Sequence, residues 1–189
     1  MNITRRSLAA AAFALASVFG PLAAPAAHAD PRGQLVENGI AAIHRLEATE
    51  PQSRYFARHA VGVLVFPSVL KAGFVFGGET GNGVLYIHGR PEGFYNLSGG
   101  SWGLQIGGQD FSYALFFMTP SSLHYLRQSG GFSAGTGPSI VVINQGAGAE
   151  ANTTTLTHDV YAFPFNQKGL MADLTLQGTK ITRIHPDEH

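Results

Sequence analysis

Apolar side chains change their period near residue 60. Before that point Val36, Ile40, Ile43 and Leu46 recur at helical spacing, so one face of an amphipathic helix runs over 31–48. Asp30-Pro31 provides a cap and a first helical residue, and Pro51 stops the run. QSRYFARHA (52–60) reads as a second short helix, carrying Arg54, Arg58 and His59. After Val61 the apolar residues gather into short β-branched and aromatic runs, from VGVLVF and GVLYIH to FSYALFFM, SIVVIN, DVYAF and TKITRI. One helix interrupts them: Thr119-Pro120 opens it, SSLHYLRQ fills it and Ser129-Gly130-Gly131 ends it.

Turn chemistry suggests how the strands connect. Asn82-Gly83 and Gln177-Gly178 stand between apolar runs, and Asn-Gly is a strong two-residue hairpin signal. The stretches 73–86, 103–117, 131–143 and 169–184 share an outline of glycine, apolar run, turn and return strand. That outline fits a hairpin unit used four times, or convergence on similar hairpins. The fold expected is α+β and strand-rich. Antiparallel strands would form a compact barrel-like or sandwich sheet system with two N-terminal helices and one short internal helix.

Within this pattern VLVFPSVLKAGFVFGGETGNG (63–83) is apolar enough to raise the question of a membrane span. Pro67, Lys71, Gly77-Gly78 and Asn82-Gly83 break it at strand-like intervals, so VLVF and GFVFGG are expected to be core strands joined through Pro-Ser-Val. Lys71 lies at that connection. A cation amid apolar strands ordinarily has an internal partner, here a carboxylate or a helix C-terminus. The alternative is that it points outward to phosphate.

The first 29 residues have a different character. Arg5-Arg6 precede an Ala-rich apolar run, and Ala-His-Ala precedes Asp30, the arrangement of a cleaved secretory signal. Thr4-Arg5-Arg6-Ser7-Leu8 resembles a twin-arginine export motif, with the general export route equally open. With no cysteine there is neither a lipoprotein anchor nor a disulfide. The expectation is a periplasmic or secreted protein cut near Ala29/Asp30, leaving 30–189 as a single domain with a core of about 35–184. That part carries ten Lys/Arg against twelve Asp/Glu, a poor balance for bulk nucleic-acid binding. Attraction to anionic lipid would need a local patch, and Arg54 and Arg58 share one face at i, i+4.

Motifs for catalysis are weak. Gly99-Gly100-Ser101-Trp102-Gly103 fits G-x-S-x-G, with Asp159 or Asp173 and then His185 in the order of α/β-hydrolases. That motif needs a strand turning sharply into a helix, and the residues after it read as strand. A tight turn is the expectation, with a serine hydrolase using Ser101 as the distant alternative. Gly146 to Ala151 fits a loose dinucleotide fingerprint, but Asn-Thr-Thr-Thr follows it and opens no helix. The histidines fall at no i, i+4 helical pair and there is no cysteine, so no zinc site is indicated and no cofactor is expected.

HAVGVLVFPSVLKAGFVFGGETGNGVL (59–85), LSGGSWGLQIGGQ (97–109), ALFFMT (114–119) and DVYAFPFNQKGLMADLTLQGTKI (159–181) together resemble the SYLF domain family. The resemblance implies a binding module rather than an enzyme. Eukaryotic relatives are described as binding phosphoinositides through a basic N-terminal segment, and some fungal ones as binding actin. Carried onto this sequence, it implies lipid-binding cations at Arg45, Arg54 and Arg58, with Lys71 as the lysine of the KAGF motif. Glu37, Glu47 and Glu50 depart from a basic helix, and Asp173 stands where the family usually has glycine. The expected partner is an anionic phospholipid or membrane surface, and not nucleic acid. The alternative is an envelope structural or protein-interaction module.

Overall fold

The computed structural model describes residues 30–73, 76–102, 107–128, 131–133, 137–143, 157–168, 176 and 178–185. The expected export signal, the Gly146 to Ala151 loop and Asp173 lie outside the described residues.

Among the described residues eight strands make one sheet in the order β5-β8-β3-β2-β1-β4-β7-β6. They are β1 (Gly62–Gly73), β2 (Phe76–Ile87), β3 (Arg90–Trp102), β4 (Gly107–Phe117), β5 (Phe132–Ser133), β6 (Ile140–Val142), β7 (Val160–Lys168) and β8 (Thr179–Ile184). The helices are α1 (Pro31–Thr49), α2 (Ser53–His59) and α3 (Pro120–Arg127). The strand-rich α+β class is as expected, with one correction. The sheet is mixed, because β6 runs parallel to β7. It is one curled half-barrel, the barrel-like of the two expected forms. Phe132 on edge strand β5 sits five strands from β4, roughly 24 Å away in a flat sheet. Yet its ring meets Phe117 of β4 edge-on at 6.1 Å, so the sheet must curl to bring them together.

The curl gives an inner and an outer face. Leu64, Phe66, Leu97, Phe111, Tyr113 and Phe117 fill the inner one, beneath Leu123 and Leu126 of α3. Val65, Val84, Tyr86, Ala114, Phe116 and Phe163 line the outer one, covered by Ala42 and Leu46 of α1 and Phe56 of α2. Both faces of the central strands are therefore dry, which is why runs such as Ala114-Leu115-Phe116-Phe117 are apolar without alternation.

β1 is one strand through 63–73, not two core strands with a break. It keeps its pairing across Pro67-Ser68 by inserting one extra residue: Phe66 faces Tyr113 while Val69 faces Phe111. The Ser112 hydroxyl donates to the Pro67 carbonyl at 2.7 Å, and the Ser68 hydroxyl to Asp110 at 2.9 Å. Such a bulge reverses which residues face inward. Leu64 and Phe66 are inside before it, Val69 and Lys71 after it, and Leu70 is left 57% exposed outside.

The expected turn at Asn82-Gly83 is not there. Both residues lie within β2, opposite Asn96 and Tyr95 of β3. A Cβ on Gly83 would come within 2.6 Å of the Phe66 ring and the Val65 carbonyl, so the glycine is needed for close approach of β1. The turn falls instead at His88 (φ 50) and Gly89 (φ 75), both left-handed as a two-residue hairpin loop requires. Gly178 (φ 78) does turn the chain, with the Thr179 N–H donating to Leu176. The fourfold hairpin unit is not present either: β5 and β6, the two halves of 131–143, lie at opposite edges of the sheet.

α1 opens as expected, the Asp30 carboxylate accepting from the Arg32 N–H at 3.0 Å. Its buried stripe is Gly39, Ala42 and Leu46, whereas Ile40 is 44% exposed. Gly39 lets the helix settle against Tyr86, whose hydroxyl would collide with a Cβ there and which donates to the Val36 carbonyl at 2.8 Å. Gly39→Ala should therefore lower the melting temperature, although alanine favours helix by about 1 kcal/mol. In a Tyr86→Phe background the loss should shrink, giving a coupling of more than ~0.5 kcal/mol in a double-mutant cycle by denaturant unfolding. A stabilising Gly39→Ala would contradict this packing.

Candidate functional site

Where α1, α2 and the ends of β1 and β2 meet, an open cleft of about 480 Å³ remains. Its floor is Leu46, Val63, Tyr86 and Phe116, and its rim carries His44, Glu47, Arg58 and His88 beside exposed Ile40. Phe56 positions this rim. Its ring sits 4.7 Å from Tyr161 and 5.2 Å from Phe163, pinning α2 to the outer face of the sheet. Two residues on, Arg58 is carried to the cleft mouth. Glu47 approaches Arg54 at 3.7 Å, offsetting the acid on the rim. Ser53, at the start of α2, is fully buried against the cleft, and its hydroxyl has no hydrogen-bond partner among the described residues.

The structure divides the residues singled out from the sequence. Arg45, Arg54 and Arg58 are all exposed on the helical side. Lys71 is on the opposite face of β1 and only 5% exposed, so it does not point outward to phosphate. Its neighbours across the ladder are Glu79 of β2 and Gln109 of β4. Glu79, 8% exposed, accepts a hydrogen bond from the Thr179 hydroxyl of β8 at 2.8 Å. That contact reaches over β3 at Gly99, where a Cβ would stand 3.1 Å from Glu79 and 3.2 Å from Thr179. Gln109, Lys71, Glu79 and Thr179 thus form a buried polar row across the inner face, at one end of the apolar core.

Glu79, Gln109 and Thr179 were not identified from the sequence. A signal existed: Lys71 and Glu79 are placed symmetrically about the Gly73–Gly77 hairpin, two residues outside it on either side. Thr179→Val removes the donor but keeps the shape. It should cost about 1–3 kcal/mol by denaturant unfolding, with Thr179→Ser retaining most of the stability. A neutral Thr179→Val would mean that the Glu79 carboxylate does not depend on it.

Ser101 is not at a nucleophile elbow. It pairs with Gly77 in the antiparallel β2–β3 ladder, and the next element among the described residues is strand β4. Asp159 serves elsewhere, accepting from the Ser139 N–H at 3.1 Å, the Ser139 hydroxyl at 3.0 Å and Thr119 at 3.2 Å. These bonds, the Ser139 backbone N–H foremost, hold its carboxyl below the usual carboxylate range. Among the described residues no group of three or more His, Cys, Asp or Glu could hold a metal ion, and no helix is long and apolar enough to cross a membrane.

Burial pushes the Tyr86 phenol on the cleft floor up to about 12 from 10.0. The unfolded chain therefore releases this proton first as pH rises. Stability contributed by Tyr86 should be full below pH 10 and fall between pH 10 and 12. Subtracting a Tyr86→Phe stability profile from that of the wild type should isolate this decline. Superimposable alkaline profiles would refute it.

Residues 98–187 match the model of a family described as "Ysc84: Las17-binding protein actin regulator". The match takes in the end of β3 and everything from β4 to β8, including the motifs at 114–119 and 159–181. Helices α1 and α2, β1 and β2, and with them the motif at 59–85, lie ahead of it. No curated protein matches the chain.

Proposed function

We propose, from the match of residues 98–187 to the Ysc84, or SYLF, family, that the chain is an exported, non-enzymatic binding module for anionic phospholipid head groups. The observation that carries the reading is the helical face: α2, anchored by Phe56, presents Arg58 beside exposed Ile40 at the mouth of an apolar cleft. Cations over an exposed aliphatic side chain suit the boundary between head groups and acyl chains. Arg45, Arg54 and Arg58 each contribute about 1 kcal/mol near an anionic surface. Glu37 and Glu47 on α1, and Glu50 just after it, reduce that sum, so the association is weak and salt-sensitive. Lys71, enclosed on the inner face, takes no part.

The test is co-sedimentation with phosphatidylcholine vesicles, with and without an equal share of phosphatidylglycerol. Binding should appear only with the anionic lipid, fall at high salt, and be lost in an Arg45→Glu/Arg58→Glu variant. Equal binding to neutral vesicles, or none to either, refutes it. A second reading is a protein-partner module, favoured by the family's description as a Las17-binding actin regulator. Capture of a defined envelope protein, unchanged by that double substitution, would support it instead.

A further inference from the structure

The cleft itself has features that attachment to a surface does not need. About 480 Å³ is within the range of small-molecule sites, and its lining is mostly apolar with a few placed polar groups. Two of these come from α2. Ser53 contributes a buried hydroxyl with no partner among the described residues, which ordinarily costs on the order of 1–3 kcal/mol. Arg58 contributes a cation, and among the described residues no carboxylate lies within ion-pair distance of it, since Glu47 is beside Arg54. An apolar body with an anionic hydrogen-bond acceptor answers all three features together. We propose that the cleft is a binding site for one long-chain fatty carboxylate, with its chain along Leu46, Val63 and Phe116 and its head group served by Arg58 and the Ser53 hydroxyl. A carboxylate matches the planar guanidinium fork of arginine, and a single unbranched chain fits an apolar cleft of about 480 Å³ more readily than a two-chain lipid.

The inference goes beyond the membrane reading and does not depend on it. Surface attachment needs vesicles and collapses in salt, whereas filling of the cleft occurs without vesicles and depends on chain length. The experiment is calorimetric titration of the whole protein with palmitate, below the concentration at which it aggregates, against decanoate and the uncharged hexadecanol. Palmitate should bind one to one and at least tenfold tighter than decanoate, because each added buried methylene tightens binding by up to about fourfold. Hexadecanol, and palmitate with Arg58→Glu, should each bind about tenfold more weakly. Ser53→Ala should weaken palmitate binding severalfold without lowering the melting temperature, since the hydroxyl it removes has no partner among the described residues. Ala57→Phe, which fills the cleft, should abolish binding. The proposal is overturned if palmitate does not saturate, if decanoate binds equally well, or if Arg58→Glu leaves palmitate affinity unchanged. Because Arg58 is exposed, that last result stands even if Ala57→Phe fails to fold.

Discussion

One extra residue at Pro67-Ser68 decides what most of this sheet does. β1 is central, hydrogen-bonded to β2 on one side and β4 on the other, and its bulge shifts the register against both. Up to Phe66 the even-numbered residues face inward, and from Val69 the odd-numbered ones do. Without the insertion Leu70 would be inside and Lys71 outside. With it, the ammonium group is enclosed opposite Glu79, and Leu70 is presented to solvent. On either side of the bulge β1 passes close to β2, so Gly81 and Gly83 cannot carry a side chain: a Cβ at either would meet the β1 backbone at 2.6 Å. Asn82-Gly83 looks like a hairpin in the sequence because the bulge needs glycine where a hairpin also would.

The curl has a similar logic on the larger scale. Phe132 at one edge can reach Phe117 only if the sheet bends around the inner cluster, and α3 closes the opening with Leu123 and Leu126. Bending leaves the outer face convex. α1 lies along it by way of Gly39, and α2 is pinned through Phe56. A cleft remains between them, where small residues such as Ala57, Ala60 and Gly62 leave room over Val63 and Phe116. The site is thus a by-product of two helices docked by different contacts, one by close backbone approach and the other by an aromatic plug.

The polar row and the cleft illustrate two ways of keeping polar groups near a core. In the row Glu79 is satisfied from within, by Thr179 across the gap at Gly99, and such a contact specifies strand register as well as adding stability. In the cleft the Ser53 hydroxyl has no such partner among the described residues. A polar group left in that state beside an open apolar space is more informative about ligands than an arginine exposed on a helix.

Local rules were enough for a good part of the molecule. Caps and breakers placed the three helices to within a residue or two, because Asp30-Pro31, Pro51 and Thr119-Pro120 act over a single turn of chain. Apolar runs marked the strands and the strand-rich class for the same reason: a pleated strand buried on both faces leaves little choice of residue. The motifs at 97–109, 114–119 and 159–181 disclosed the family that residues 98–187 match. What depended on distant parts of the chain was not legible. The face on which Lys71 lies was set by a bulge against β4, the buried stripe of α1 by the Tyr86 hydroxyl fifty residues away, and the role of Gly83 by Phe66 rather than by a turn. The sequence by itself determined which segments are helix and strand, since those preferences are local. Only the tertiary structure decided which side chains face one another, since burial and register are settled by strands that meet far apart in sequence.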